Sequence, residues 1–326
     1  MIEILLKEWI ERVKYYIHLI ADYSIKESQV GAVLDDVLNL SGKMLRSKLL
    51  LLCAFLGSNW KNNKEKICKL AAMVELTHLA SLIHDDIVDD SPYRRGKVSV
   101  QGKYGKDAAV FAGDFLIARI FYYGAVENLN EAVSILSKTV EYMCIGEIEQ
   151  DLCRYQEDIS EKKYFENIER KTAALFQAAS YIGAKEAGCS EKIIQKLGLF
   201  VKNLGLMFQL KDDILDFTSN SKELGKETHK DFQNGIYTFP VIMALKNPEA
   251  KEVLLPIMRK NKEEKLSLTE ILQLQNYIIQ FGGIEASYEK IKYLSNINRQ
   301  LIKELGQNSK ITVYLEKILN DLEVEN

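Results

Sequence analysis

Only four prolines occur in the 326 residues. No Gly/Ser/Pro-rich stretch divides them, which excludes a string of tethered domains and favours one domain over 1–326. The five cysteines (Cys53, Cys68, Cys144, Cys153 and Cys189) contain no Cys-x-x-Cys pair. That argues against a disulfide framework or a zinc site and for thiols in a reducing compartment. There is no basic excess: the formal net charge is -3 and the pI is near 6.0, so general affinity for nucleic acid is not expected. Long apolar runs are also missing. The most apolar stretch, Leu49 to Gly57, is too short to span a bilayer, so no integral membrane segment is expected. The N-terminus, MIEILLKEWIERVKYY, carries Glu3, Lys7, Glu8, Glu11 and Arg12 among its apolar residues. It reads as an amphipathic helix rather than a signal peptide, and a cytoplasmic location follows. No short-period repeat points to a solenoid.

What remains is helix-forming sequence. Leu, Ile, Lys and Glu are abundant, and apolar residues recur at helical spacing from the start to about Leu319. An all-α fold is predicted, with helices at 2–22, 26–39, 43–57, 63–90, 107–127, 130–154, 161–187, 190–218, 233–246, 251–259, 267–280, 283–305 and 309–323. Breaks fall at Gly57-Ser58-Asn59, Ser91-Pro92, Gly102 to Gly105, Asn128 to Asn130 and Gly188.

Two of these helices run into aspartates. The first cluster is HDDIVDD, with Asp85, Asp86 and Asp89, and the second is QLKDDILDF, with Asp212, Asp213 and Asp216. Both have the form Asp-Asp-x-x-Asp. Residues four apart share a helix face, so Asp85 faces with Asp89 and Asp212 with Asp216. Like charges so placed repel, and a helix C-terminus is the unfavourable end for an anion. A solvated acidic helix end could explain one such cluster, but two with identical spacing call for a cation. Carboxylates without a His or Cys set suit a hard ion, and magnesium bridging to phosphate is the commonest use. An EF-hand is excluded because its loop pattern and glycine are missing. Basic residues accompany them: Lys43 and Arg46 near the start of an apolar helix, Arg94 and Arg95 just after the first cluster, and Lys171 and Lys226 close to apolar helical segments. Each pair alone is an ordinary solvated face. With two magnesium-type clusters they imply a ligand carrying several phosphates.

At this point the chain resembles the trans-isoprenyl diphosphate synthase (polyprenyl synthetase) family, its medium- and long-chain members in particular. The ordered matches are GKMLR, ELTHLASLIHDDIVDDSPYRRG, AGDFL, GEIEQ, KTAALF and GLMFQLKDDILDFTSNSKELGKETHKDFQNGIYTFP, strong from Gly42 to Pro240 and weaker beyond. Ser41, Ser47 and Ile236 depart from the family pattern, the last where many members carry lysine.

The resemblance implies a bundle of roughly a dozen helices around a deep cavity, usually in a homodimer. It also implies a magnesium complement of about three ions with substrate bound. By carry-over, Asp85, Asp86 and Asp89 hold magnesium on an allylic diphosphate, as do Asp212, Asp213 and Asp216. Arg94, Lys171 and Lys226 contact that diphosphate, and Lys43, Arg46, His78 and Arg95 form the isopentenyl diphosphate pocket. Lys171, Thr172 and Gln209 are the catalytic residues, the latter two beside the cleaving bond. The resemblance also places the growing tail beside the helix before Asp85. There Thr77, Ala80 and Ser81 are small, and each buried methylene gains about 0.8 kcal/mol, so a product from hexaprenyl to octaprenyl is expected. Phe111, Phe115, Tyr142 or Met143 could form the floor instead. The alternatives are a short-chain farnesyl or geranylgeranyl diphosphate synthase, a terpene cyclase, a non-catalytic subunit of a heteromeric synthase, or a catalytic subunit that needs a partner.

Overall fold

The run Leu49-Leu50-Leu51-Leu52-Cys53-Ala54 has no polar face and is buried throughout. It belongs to helix α3 (Leu45–Ala54), which packs with α1 (Ile2–Ile20) and α4 (Lys64–Val88). A computed structural model describes residues 2–22, 28–39, 42–94, 96–218, 230–306 and 310–323. The remaining helices are α2 (Gln29–Leu38), α5 (Val100–Tyr104), α6 (Lys106–Val126), α7 (Asn130–Leu152), α8 (Glu161–Ile168), α9 (Ala174–Glu186) and α10 (Glu191–Thr218). After them come α11 (Lys230–Gln233), α12 (Phe239–Ala244), α13 (Pro248–Glu263), α14 (Leu268–Gln280), α15 (Gly283–Glu304) and α16 (Lys310–Glu323). Two compact units result, one of Met1–Glu141 with Leu175–Leu199, the other of Tyr142–Ala174 with Phe200–Asn326.

In the first unit α4 is the central element, with α1, α3 and α6 against it. Trp9, Phe55 and Trp60 stack edge-on, with centroids 5.0 Å apart for Trp9–Phe55 and 5.2 Å for Phe55–Trp60. Gly183 lets α9 approach α3, because a Cβ there would lie 2.3 Å from the Leu50 carbonyl oxygen. In the second unit Phe217, Phe232, Tyr237, Val241, Leu254, Met258, Leu274 and Ile278 form one core. Asn203 and Asn298 are buried there; Asn203 donates its amide to Asn298 Oδ1 at 3.0 Å, and Asn298 donates its own to the Phe200 carbonyl at 3.0 Å.

The all-α expectation holds, with local departures. A two-stranded hairpin, β1 (Tyr93–Arg94) with β2 (Lys97–Val98), follows α4. Strands of two residues are too short for an alternating pattern to register. The stretch expected as one helix over 161–187 is interrupted by a π turn at Glu169–Ala173. Of the one expected over 233–246, only Gln233, the end of α11, and Phe239–Ala244, α12, are helical, with non-helical residues from Asn234 to Thr238 between them. Helix α13 is longer than 251–259 because Pro248 starts it at a position that needs no N–H donor. Two helices are longer apolar stretches than Leu49 to Gly57, but that alone does not establish a membrane segment. By length and composition α4 and α6 could each cross a bilayer, although 72% of the apolar window of α4 is buried within the protein. All five cysteines are free.

Candidate active site

The first acidic centre closes α4. Asp86 is 3% exposed, while Asp85 and Asp89 are half-buried on the neighbouring face. Arg94, on β1, aims Nε at both Asp86 oxygens, at 2.8 and 2.9 Å. Among the described residues nothing else bonds to its guanidinium, so its terminal amino groups remain available to a second anion. The backbone is tied as tightly. The Asp86 carbonyl accepts from Gln101 Nε2 at 2.6 Å and from the Ser91 N–H at 2.9 Å. Ser99 donates its hydroxyl to the Ser91 carbonyl at 2.7 Å, and a Cβ at Gly102 would collide with the Pro92 carbonyl oxygen. The AGDFL motif also has a place here. Gly113 gives α6 room to pass His84, whose Nε2 lies 3.3 Å from the Val110 carbonyl oxygen and 3.4 Å from Asp114.

The other candidates in this unit line up on α3 and α4. Lys43 is exposed just before α3, and Met44 turns the chain with a left-handed φ of 51°. Arg46 lays its guanidinium over the Phe176 ring at 4.6 Å. His78 is half-buried two turns before Asp85. Thr77 and Ala80 are buried and Ser81 is half-buried. The Thr77 and Ser81 hydroxyls donate to the Met73 and His78 carbonyls, both at 2.9 Å. That spends their polarity inside the helix and leaves a hydrocarbon-like face. Phe111 is exposed and Phe115 half-buried; Tyr142, exposed, and Met143, half-buried, belong to the second unit. Arg95 and Lys226 lie outside the described residues.

The second acidic centre is on α10, within the second unit. Asp212 is exposed, Asp216 half-buried and Asp213 only 1% exposed. Here the buried carboxylate meets neutral donors. Tyr164 donates its hydroxyl to Oδ2 at 2.5 Å, and Gln209 donates Nε2 to Oδ1 at 3.0 Å. Burial pushes Asp213 up to about 7 against the pull of those two bonds, and Asp231 and Asp212 push the same way. Burial, then the neighbouring Asp213, raises the Tyr164 phenol well above its usual value. Thr172 completes the chain, donating Oγ1–H to Gln209 Oε1 at 2.9 Å. The polarity is forced. Because the Gln209 amide donates to a carboxylate, its oxygen must face Thr172, so Thr172 donates and keeps its lone pairs for another partner.

The π turn that carries Lys171 and Thr172 sits against the GEIEQ motif. A Cβ on Gly146 would come within 3.0 Å of the Lys171 nitrogen. Glu147 pairs with Lys171 at 3.0 Å, and Glu149 binds both Lys163, at 3.1 Å, and Arg170. Salt bridges with these two cations hold Glu149 below the usual carboxylate range, the Lys163 bond most of all. Tyr164, Glu147 and Gln101 were not among the predicted site residues. Glu147 lay inside a recognised motif, but nothing local to Tyr164 or Gln101 marks them.

Among the described residues no three acidic, His or Cys side chains converge into a ready-made metal cage. Carboxylate oxygens are the donors that suit a hard divalent cation. The donors here are carboxylates only.

Residues 27–275 match the sequence profile of the polyprenyl synthetase family. The chain belongs to this family. It is accordingly a prenyltransferase. Component 2 of the heptaprenyl diphosphate synthase of Geobacillus stearothermophilus is 34% identical over 265 residues, covering 80% of each chain. Its counterpart in Bacillus subtilis (strain 168) is 38% identical over 230 residues, which covers 71% of this chain and 65% of that relative. Among solved structures, a polyprenyl synthase from Caulobacter crescentus CB15, complexed with calcium and isoprenyl diphosphate, superposes with a TM-score of 0.88. It is 29% identical and covers 99% of this chain and 96% of its own.

Proposed function

We propose that this prenyltransferase extends an allylic diphosphate with isopentenyl diphosphate, head to tail, to an all-trans product of medium-to-long chain. The observation that carries the reading is the pair of Asp-Asp-x-x-Asp helix ends. In each the middle aspartate is buried and held by protein donors, while its neighbours at i and i+4 are more open. Magnesium held by Asp85, Asp89, Asp212 and Asp216, with Asp86 and Asp213 completing the two triads, would neutralise charge on the leaving diphosphate. Arg94 has unspent guanidinium donors to add, and Lys171 an ammonium; Lys226 is expected to join them. As the carbon–oxygen bond breaks, its electron pair goes to diphosphate oxygen and positive charge develops on the allyl fragment. Thr172 turns oxygen lone pairs toward that charge. The isopentenyl double bond then attacks the allyl carbon, a new carbon–carbon bond forms, and the adjacent proton passes to diphosphate oxygen. Lys43, Arg46, His78 and Arg95 are assigned to the isopentenyl diphosphate.

The small side chains of Thr77, Ala80 and Ser81, with their hydroxyls spent on the helix, support a tail longer than farnesyl. The family match, unbroken from 27 to 275 through parts of both units, supports one functional domain over 1–326. A cytoplasmic site of action is proposed with it. Intact triads speak against a non-catalytic subunit. A homodimer is the simplest assembly, but a second reading has a specific basis. The names of two relatives as "component 2" favour a catalytic chain that works with a different subunit.

One experiment tests all of this: the purified chain, alone, with farnesyl diphosphate, excess isopentenyl diphosphate and magnesium. A ladder ending at a long prenyl diphosphate is expected. Arrest at farnesyl diphosphate refutes the chain-length reading, and a folded chain without product refutes self-sufficiency.

A further inference from the structure

The π turn at Glu169–Ala173 has a geometric effect on the second acidic centre. On a regular helix, at about 100° per residue, Tyr164 and Thr172 would stand about 80° apart, and the extra residue of a π turn reduces this to about 20°. Both side chains therefore reach the same stretch of α10. Tyr164 bonds Asp213 Oδ2 directly, and Thr172 reaches Oδ1 through Gln209. The segment 164–172 thus holds one Asp213 oxygen directly, through Tyr164, and bears on the other through Gln209. Tyr164 itself is fixed by aromatic neighbours, Phe165 with centroids 5.2 Å away and Phe239 at 5.5 Å. Its ring is buried and its hydroxyl makes no other hydrogen bond among the described residues.

We propose that Tyr164 is a positioning residue for the prenyl-transfer reaction: its hydroxyl locks the Asp213 carboxylate, which orients Gln209 and so points the Thr172 oxygen at the reacting bond. The proposal rests on the reading of Thr172 given above. Tyr164 acts only through Asp213 and touches no substrate. Groups that set the orientation of catalytic or metal-binding side chains typically contribute roughly 10- to 100-fold.

The test is a cycle of four proteins: wild type, Tyr164→Phe, Asp213→Asn, and both together. Initial rates are measured with farnesyl diphosphate, isopentenyl diphosphate and magnesium, and binding of inorganic diphosphate with magnesium is followed by calorimetry. Tyr164→Phe should lower kcat about tenfold, with KM for isopentenyl diphosphate unchanged, and weaken magnesium-dependent diphosphate binding. In the Asp213→Asn background the same substitution should change kcat less than about twofold. Equal losses in both backgrounds, a rise in KM alone, or no loss in either would overturn the proposal. A purely structural role would lower thermal stability and leave the kcat of the folded fraction and the diphosphate affinity unmoved. If Tyr164→Phe alone does not fold, Asp213→Asn is compared with the double variant, which buries no charge, and a further fall in kcat overturns it. A wild type that binds diphosphate but never elongates farnesyl diphosphate would instead refute the function proposed above.

Discussion

The two acidic centres share a motif but are compensated in different ways. At the first, the buried Asp86 faces a full positive charge, Arg94. At the second, the equally buried Asp213 faces a phenol and an amide, both neutral. The first centre has its buried carboxylate neutralised within the protein. The second surrounds its buried middle carboxyl with neutral donors, so burial disfavours the charged form and the group is raised to about 7. One motif therefore sets its buried carboxyl against a cation at one helix end and against neutral donors at the other.

The strongest test of that contrast removes the open carboxylates. Asp85→Ala and Asp212→Ala should each lower kcat by about 10²- to 10³-fold with the fold retained. In a magnesium titration the Asp212 variant should show the larger rightward shift. Next comes stability, where one substitution at the equivalent position should have opposite signs. Asp86→Asn strands the Arg94 charge beside a neutral partner and should cost about 3 kcal/mol in urea unfolding. Asp213→Asn leaves neutral donors with a neutral acceptor and should be neutral, or stabilising by about 1 kcal/mol. The folded-state value of Asp213, about 7, lies above its ordinary 3.8. Stability from this group is thus present below pH 3.8 and lost as pH rises through 7, so the gain from Asn should vanish below about pH 4 and be complete above about pH 8. Equal destabilisation by both substitutions would break the comparison. A smaller effect is expected at Gly146, where an alanine Cβ would press on the Lys171 backbone. Gly146→Ala should lower kcat by roughly tenfold for a misplaced Lys171 and Thr172, leaving circular dichroism unchanged. Smallest in rate is Ser81→Phe. The residues one turn before Asp85 are small, whereas Phe208 and Met207 precede Asp212, and the proposed path of the tail runs beside the first centre. The variant should keep near-normal initial rates while its product ladder stops earlier.

Both aspartate triads and most of the helical frame could be read directly from the sequence, because motif spacing and apolar periodicity are local signals. Arg94 was legible for the same reason, lying eight residues after Asp86. Tyr164 was not: it meets Asp213 across 49 residues, and its own helix shows only an aromatic on an apolar face. The π turn was hidden because one added residue barely disturbs the periodicity of 161–187. Hairpin 93–98 escaped because its strands are two residues long.

The tie between Gln101, Ser99, Ser91, Arg94 and Asp86 spans no more than fifteen residues. Closing so short a loop costs little chain entropy, whereas the grip of Tyr164 on Asp213 must close one several times longer. In a chain made from its N-terminus, the first centre can be complete while the residues of the second are still being synthesised. Refolding should show the same order, with amide protection around Ser91 and Asp86 preceding that around Gln209 and Asp213 in pulse-labelled hydrogen exchange.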